Sequence, residues 1–308
     1  MRRLALLLVL SPLAVLGSSV ASADARVDRW LAQGIEALDQ GRHRQGRRLL
    51  RRCVSRDPTD ARAIAAALPL LRRDRPQASD ARWVIEAAPE TTPRDADERR
   101  GVGKALAWSH LLLGDVATAI RTMPSGLQDR DGAMSLRFLA ARAVEIGRLD
   151  LAEAALERAR RSYPQDTAIG QDLAAVFVAQ GRPRRAVRLL HELLQIRPGD
   201  HDLRVDLAGS LLATGRGSEA LHLYAELADE GEDADIFRHT EAALQLGEPA
   251  LAEQSVRRAA PSPAQSTLLG LALLAQGRRE EAKAALRLAP DETRARQALQ
   301  ALENAGGV

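Results

Sequence analysis

A glycine followed five residues later by a small residue occurs seven times, at Gly41/Gly46, Gly114/Ala119, Gly147/Ala152, Gly181/Ala186, Gly215/Ala220, Gly247/Ala252 and Gly277/Ala282. Seven residues before each of these glycines stands another small residue: Gly34, Ala107, Ala140, Ala174, Ala208, Thr240 and Gly270. From Gly114 onward the glycines are 33, 34, 34, 32 and 30 residues apart, and Pro58, Pro164 and Pro198 each lie 17 residues after their glycine. Self-similarity at such a period signals a stack of like units. An amphipathic stretch of about three turns precedes each glycine. The glycine ends that helix, because a C-terminal cap with φ > 0 costs glycine nothing sterically. A charged residue follows it (Arg42, Asp115, Arg148, Arg182, Arg216, Glu248 or Arg278), and a second helix begins. The small residues fall where the two helices cross. A larger side chain there would push the axes beyond the roughly 8–10 Å of ordinary helix packing.

These positions resemble the tetratricopeptide repeat family, whose units are about 34 residues long. Trp30, Gly34, Gly41, Leu50 and Pro58 fall on family positions in the first unit, with Gly46 and Cys53 where alanine is usual. Better matches are Leu136, Ala140, Ala143, Gly147, Ala152, Leu156, Ala159 and Pro164, then Leu173, Ala174, Phe177, Gly181, Ala186, Leu190 and Pro198. Leu207, Ala208, Gly215, Ala220 and Tyr224 supply another unit. The resemblance implies an all-α fold, a right-handed superhelical solenoid of about seven to eight hairpins. Between Gly41 and Gly114 the expected glycine is missing. Residues 61–73 and 79–88 read as the helices of a degenerate repeat, followed by a loop around Glu90 to Arg94. The second helix after Gly114 is predicted to be short, broken at Pro124 and Ser125. Residues 291–304 read as a capping helix with Asp291 as N-cap, since an end repeat otherwise exposes its stacking face. This divides the chain into residues 1–23, repeats over 24–99 with the second degenerate, and repeats plus cap over 100–308.

Residues 1–23 have the three parts of a secretory signal. Arg2 and Arg3 precede an apolar run from Leu4 to Leu16, and Ala21-Ser22-Ala23 is an A-x-A cleavage site. The expectation is cleavage after Ala23 and a periplasmic or secreted protein. The apolar run is short for a spanning helix, and no cysteine follows it to carry a lipid anchor. Heavy Arg and Ala use, with lysine only at 104 and 283 and asparagine only at 304, fits a GC-rich bacterial source. The formal net charge is +3. Residues 24–100 hold 17 Arg and 13 acidic residues, and residues 101–308 hold 25 basic and 28 acidic ones. That mild polarity is not a nucleic-acid footprint.

Sites for chemistry are weak. His191-Glu192-Leu193-Leu194-Gln195 has glutamine where a zinc helix needs its second histidine. Gly101-Val102-Gly103-Lys104 has the flavour of a phosphate loop but follows no predicted strand, and reads as a helix start. Ser218, in the Thr214-Gly215-Arg216-Gly217-Ser218 turn, is a candidate N-cap. Cys53, the lone cysteine, falls at a small-residue core position. This favours a buried, inert thiol, while the arginines nearby keep a reactive thiol open. No metal or cofactor site is predicted.

The resemblance implies a groove, lined by each unit's first helix, that holds a peptide or helix of a partner protein. The family's groove positions map here to Lys104, Trp108, Arg137, Gln171, Asp202, Val205, Phe237, Glu241, Leu271 and Leu274. Trp108 and Phe237 are the candidate anchors, or else rings packed between repeats. The family's carboxylate clamp is not available, because Asn304, in the cap, is the sole asparagine. The expected function is therefore a non-catalytic scaffold or adaptor for an envelope assembly or export system. A second reading uses Arg44, Arg48, Arg51 and Arg52, which share a helix face, to bind anionic lipid or polysaccharide. A third, an enzyme subunit, has no convergent residues behind it.

Overall fold

The computed structural model describes residues 25–124 and 130–304; the leader and cleavage site expected over residues 1–23 lie outside the described residues. Among the described residues there are eighteen α-helices, one 3-10 turn and no strand. The chain is an all-α solenoid of about eight hairpins. It divides into two compact units after Pro124, whereas the repeat pattern placed its division after residue 99.

In the first unit, α1 (Ala25–Asp39) and α2 (His43–Arg56) form a hairpin. The degenerate repeat follows as α3 (Ala61–Ala65), α4 (Leu68–Arg72) and α5 (Ala78–Ala87), with the 3-10 turn at Ala88–Glu90. The hairpin of α6 (Ala96–Leu112) and α7 (Val116–Thr122) closes the unit. The helix expected over 61–73 is thus two short helices. Pro69 falls in the first turn of α4, where its missing N–H costs nothing; in a continuous helix it would leave the Ala65 carbonyl without its donor. Residues 101–104 lie inside α6, not at its start, which Asp95 caps by accepting from the Glu98 N–H at 2.8 Å. Both glycines there allow close approach. A Cβ on Gly101 would sit 2.6 Å from Ala65 Cβ, and one on Gly103 2.5 Å from Pro124 Cγ.

Leu50, Cys53, Ile64, Leu70, Leu71, Val84 and Val102 form the first unit's core, with all three tryptophans, Trp30, Trp83 and Trp108, half-buried against it. The Cys53 thiol is fully buried and donates to the Val27 carbonyl at 3.7 Å. Burial, with Asp60 nearby, pushes its pKa up to about 11. A thiol-specific reagent at neutral pH should therefore leave Cys53 untouched in the folded protein and label it fully in denaturant.

In the second unit, five hairpins follow in order. They are α8 (Arg130–Glu145) with α9 (Leu149–Ser162), α10 (Thr167–Ala179) with α11 (Pro183–Ile196), and α12 (His201–Ala213) with α13 (Gly217–Asp229). Next come α14 (Asp233–Gln245) with α15 (Pro249–Val256), and α16 (Pro263–Ala275) with α17 (Arg279–Leu286); α18 (Thr293–Asn304) closes the series. The cap begins two residues later than Asp291 and packs Ala295 and Leu302 on Leu286 and Ala289. Ser218 lies in the first turn of α13, whose N-cap is Arg216. First helices of successive hairpins touch directly at α8–α10, α10–α12 and α14–α16. Successive second helices make no comparable contact, which puts the first helices on the inner side of this unit.

The seven turn glycines all have positive φ, as does Gly231. At Gly181 the N–H donates to Val178 O at 2.9 Å and the Arg182 N–H to Phe177 O at 2.8 Å. This is the Schellman pattern, which satisfies the last carbonyls of the helix. Two joints between hairpins carry the same polar clamp. Glu153, six residues after Gly147, accepts from Gln180 at 2.9 Å and from Arg182 and Arg185 at 2.8 Å. Glu253, six residues after Gly247, accepts from Gln276 and Arg278, each at 2.8 Å. Gln180 also donates to Leu149 O and Gln276 to Pro249 O, each at 3.1 Å. Arg257, Gln276 and Arg278 hold the Glu253 carboxyl down at about 2.

The small crossing residues are buried in the hairpins that carry a turn glycine; Ala119, Ala152, Ala186, Ala220, Ala252 and Ala282 are all 0% exposed. Ala152→Leu should overpack the α8–α9 crossing and cost about 1–3 kcal/mol. Chemical denaturation reads this directly, and an unchanged midpoint would refute the crossing.

Candidate functional site

The inner face of the second unit is built by the first helices, and its polar side chains pair across the joints. Arg137 on α8 donates to Asp172 on α10 at 2.6 Å. Gln171 on α10 donates to Asp206 on α12 at 3.1 Å. Both pairs are 35 residues apart, one residue more than the repeat. Partial desolvation, with Asp202 and Asp200 nearby, pushes the Asp206 carboxyl above the usual range, although the Gln171 bond opposes this. Farther on, Glu241 of α14 accepts from Arg294 of the cap at 2.6 Å. Arg137, Gln171 and Glu241 were foreseeable from the groove positions. Asp172, Asp206 and Arg294 were not, though a search for complementary charges at 35-residue spacing would have found the first of these.

The apolar candidates divide. Trp108 packs on the first unit's core, with the Arg72 guanidinium 5.3 Å from its ring. Phe237 is half-buried against Ala228, Ile236 and Ala259. Leu274 packs against the capping cluster, Leu271 is half-buried, and Val205 packs beside Ala208 and Tyr224. The most exposed large apolar pair on a first helix is one the sequence reading missed. Met134 and Phe138, one turn apart on α8, are 54% and 45% exposed and flank Arg137. Lys104 belongs to α6 in the first unit and is half-buried.

Beside this face, Asp235 of α14 is completely buried and accepts on both oxygens. His201 Nε2 lies 2.7 Å from Oδ2, and Arg238 donates to Oδ1 at 2.6 Å. Together with Glu232, His201 and Asp235 bring ligand atoms within 4.8 Å of one another. The Arg238 guanidinium already neutralises the central carboxylate, which suits an ion-paired tie between α12 and α14 better than a cation. His191 is exposed on α11 between buried Leu190 and Leu193, and its neighbour Glu192 pairs with Arg160 at 2.7 Å.

The Arg-rich helix α2 is split by its surroundings. Arg47 pairs with the buried Asp80 at 2.5 Å. Arg51 donates to Ser79 O at 3.1 Å and lies 5.3 Å from the centre of the Trp83 ring. Arg44, Arg48 and Arg52 stay exposed on the solvent side of the same arginine stripe.

Residues 177–238, from the end of α10 into α14, match the family model for the tetratricopeptide repeat. No curated protein matches the chain. Among solved structures, a tetratricopeptide repeat protein from Parabacteroides merdae ATCC 43184 is similar at 12% identity, with 91% of this chain and all of that one covered and a TM-score of 0.45. A crystal structure of MamA protein is 14% identical over 51% of this chain and 89% of that chain, with a TM-score of 0.43. YrrB, described as a TPR protein with an unusual peptide-binding site, is 17% identical over 60% of this chain and 97% of that chain, with a TM-score of 0.42. These scores are too low for any property to transfer.

The Asp235 contact raises the His201 pKa above its ordinary 6.5. The stabilisation it brings is full below pH 6.5 and disappears as pH rises through the folded-state value. An NMR titration should place His201 above 6.5, and His201→Asn should remove that part of the pH dependence of stability.

Proposed function

We propose that this helical-repeat protein, of tetratricopeptide type across residues 177–238, is a non-catalytic scaffold. It holds an extended or helical segment of a partner protein along the first-helix face of its second unit. The observation that carries the reading is the exposed pair Met134 and Phe138 beside the row Arg137–Asp172 and Gln171–Asp206. An apolar anchor next to ordered, partly solvated polar groups is what an interface needs, with the ring supplying most of the energy and the polar rim supplying register. The repeat class, commonly used for protein–protein interaction, supports the same conclusion. The leader pattern of residues 1–23 supports action in the periplasm or outside the cell, in an envelope assembly or export system.

A second reading has its own support. Arg44, Arg48 and Arg52 lie exposed at four-residue spacing with no acidic partner among the described residues, so the first hairpin can meet an anionic lipid or polysaccharide surface. Salt separates the readings, because binding through α2 weakens steeply with ionic strength and binding through an apolar anchor does not.

The test is capture of envelope proteins on immobilised wild type and on Met134→Ala/Phe138→Ala. Losing a hot-spot ring costs about 2 kcal/mol or more, so the variant should retain a few per cent of any specific partner with unchanged helicity. Equal capture by both proteins would sink the groove reading.

A further inference from the structure

The polar clamps at Glu153 and Glu253 expose a joint where the same positions are filled differently. Between the α10–α11 hairpin and the α12–α13 hairpin, the residue six after Gly181 is Val187, not glutamate. The residue before Gly215 is Thr214, not glutamine, while the arginine after it, Arg216, is kept. Shorter side chains without a carboxylate leave space. Two adjoining hollows of about 340 and 470 Å³ open here, sharing Arg184 and Thr214. The first is walled by Arg182, Pro183 and Arg185, and the second by Val187, Arg188 and Arg216. No carboxylate lines either hollow.

The charges do not balance. Arg182 and Arg185 are committed to Glu153, each at 2.8 Å. Arg216 is held by Glu219 through bonds of 2.7 and 2.5 Å. Arg184 and Arg188 have no acidic partner among the described residues, are exposed, and stand four residues apart on α11, where like charges repel. The helices α11 and α13 both start at this groove, and neither has a side-chain N-cap bond. Their positive dipole ends add to the field. Thr214 spends its hydroxyl proton on Leu211 O at 2.8 Å, so it offers an anion no donor, and recognition falls to the guanidinium groups.

We propose that this groove is an anion site that takes a phosphate monoester in its dianionic form, in place of the carboxylate that the other clamps contain. Two uncompensated guanidinium groups match the charge of −1.5 to −2 that a phosphate monoester carries at neutral pH. Their planar forks suit its oxygens. Pro183 and Val187 give the organic part of the ester an apolar wall. The site is formed by α11, the end of α12 and the α12–α13 turn and uses none of Met134, Arg137, Phe138, Gln171, Asp172 or Asp206, so it is independent of the scaffold reading.

Calorimetric titration with glycerol phosphate, and sedimentation with phosphatidylcholine vesicles containing phosphatidic acid, test it in the full chain. Saturable binding of glycerol phosphate identifies a soluble ester as ligand, and binding to the vesicles alone identifies a lipid headgroup; either supports the site. Arg184→Ala/Arg188→Ala should weaken that binding by roughly tenfold or more, the size expected when charge-assisted hydrogen bonds are lost. Circular dichroism should show the variant folded. Arg121→Ala, which removes the exposed arginine at the register of Arg188 in the hairpin after Gly114, should leave binding as it is. Glycerophosphocholine, a diester, should bind at least tenfold more weakly, its single negative charge being mismatched. Binding to neither probe overturns the proposal, as does equal binding by the Arg184/Arg188 variant or no preference for the monoester.

Discussion

Each hairpin marked by a turn glycine is closed by side chains too small to hold its two helices apart, and the rest of the structure depends on that. Ala140 and Ala152, Ala174 and Ala186, and Ala208 and Ala220 are all at most 2% exposed. Where glycine stands instead, the approach is closer still; a Cβ on Gly270 would lie 2.5 Å from Leu286 Cγ. Close crossing lets Leu156, Leu190 and Leu286 reach the gap between helices and be buried almost completely. A core of Leu, Val and Ala then suffices with few rings, since interior packing depends on fit more than on side-chain size. The three tryptophans all gather in the first unit, where the degenerate repeat breaks the small-residue pattern and larger surfaces fill the irregular space.

Polar groups follow from the same repetition. Once units stack at a fixed interval, a side chain meets its counterpart about one period away. Asp28 with Arg62 and His201 with Asp235 are both 34 residues apart, and Arg47 with Asp80 is 33. These ties are short-range between neighbours, so each joint has its own chemistry. This allows one joint to be clamped and the next to be open without disturbing the fold.

Much of this was legible in the sequence. The turn glycines and their small partners are legible because left-handed backbone and close crossing each tolerate few residue types. The break at Pro69 was missed because residues 61–73 satisfy the helical pattern on both sides of it. The N-caps were also in plain view. Asp60, Asp166 and Asp200 follow Pro58, Pro164 and Pro198 by two residues and accept from Arg62, Ala168 and Leu203 N–H groups at 3.0, 3.1 and 3.2 Å. The groove candidates were less legible. Burial of Phe237 and exposure of Phe138 depend on what the neighbouring helix places opposite, and Arg51 left the predicted stripe because Ser79 and Trp83 lie within its reach. Helix periodicity alone carries none of that information.

The clamps at Glu153 and Glu253 also distribute polar cross-links unevenly along the second unit. Each cross-links a turn to the preceding hairpin through several charge-assisted bonds, so those joints resist opening. The joint with Val187 and Thr214 has no such clamp between its turn and the preceding second helix. The joint after it, with Leu221 and Leu246 at the corresponding positions, lacks the clamp as well, so this kind of cross-link is confined to the first and last joints of the five-hairpin series, and the middle joints rely on packing and on inner-face ties such as Gln171–Asp206 and His201–Asp235.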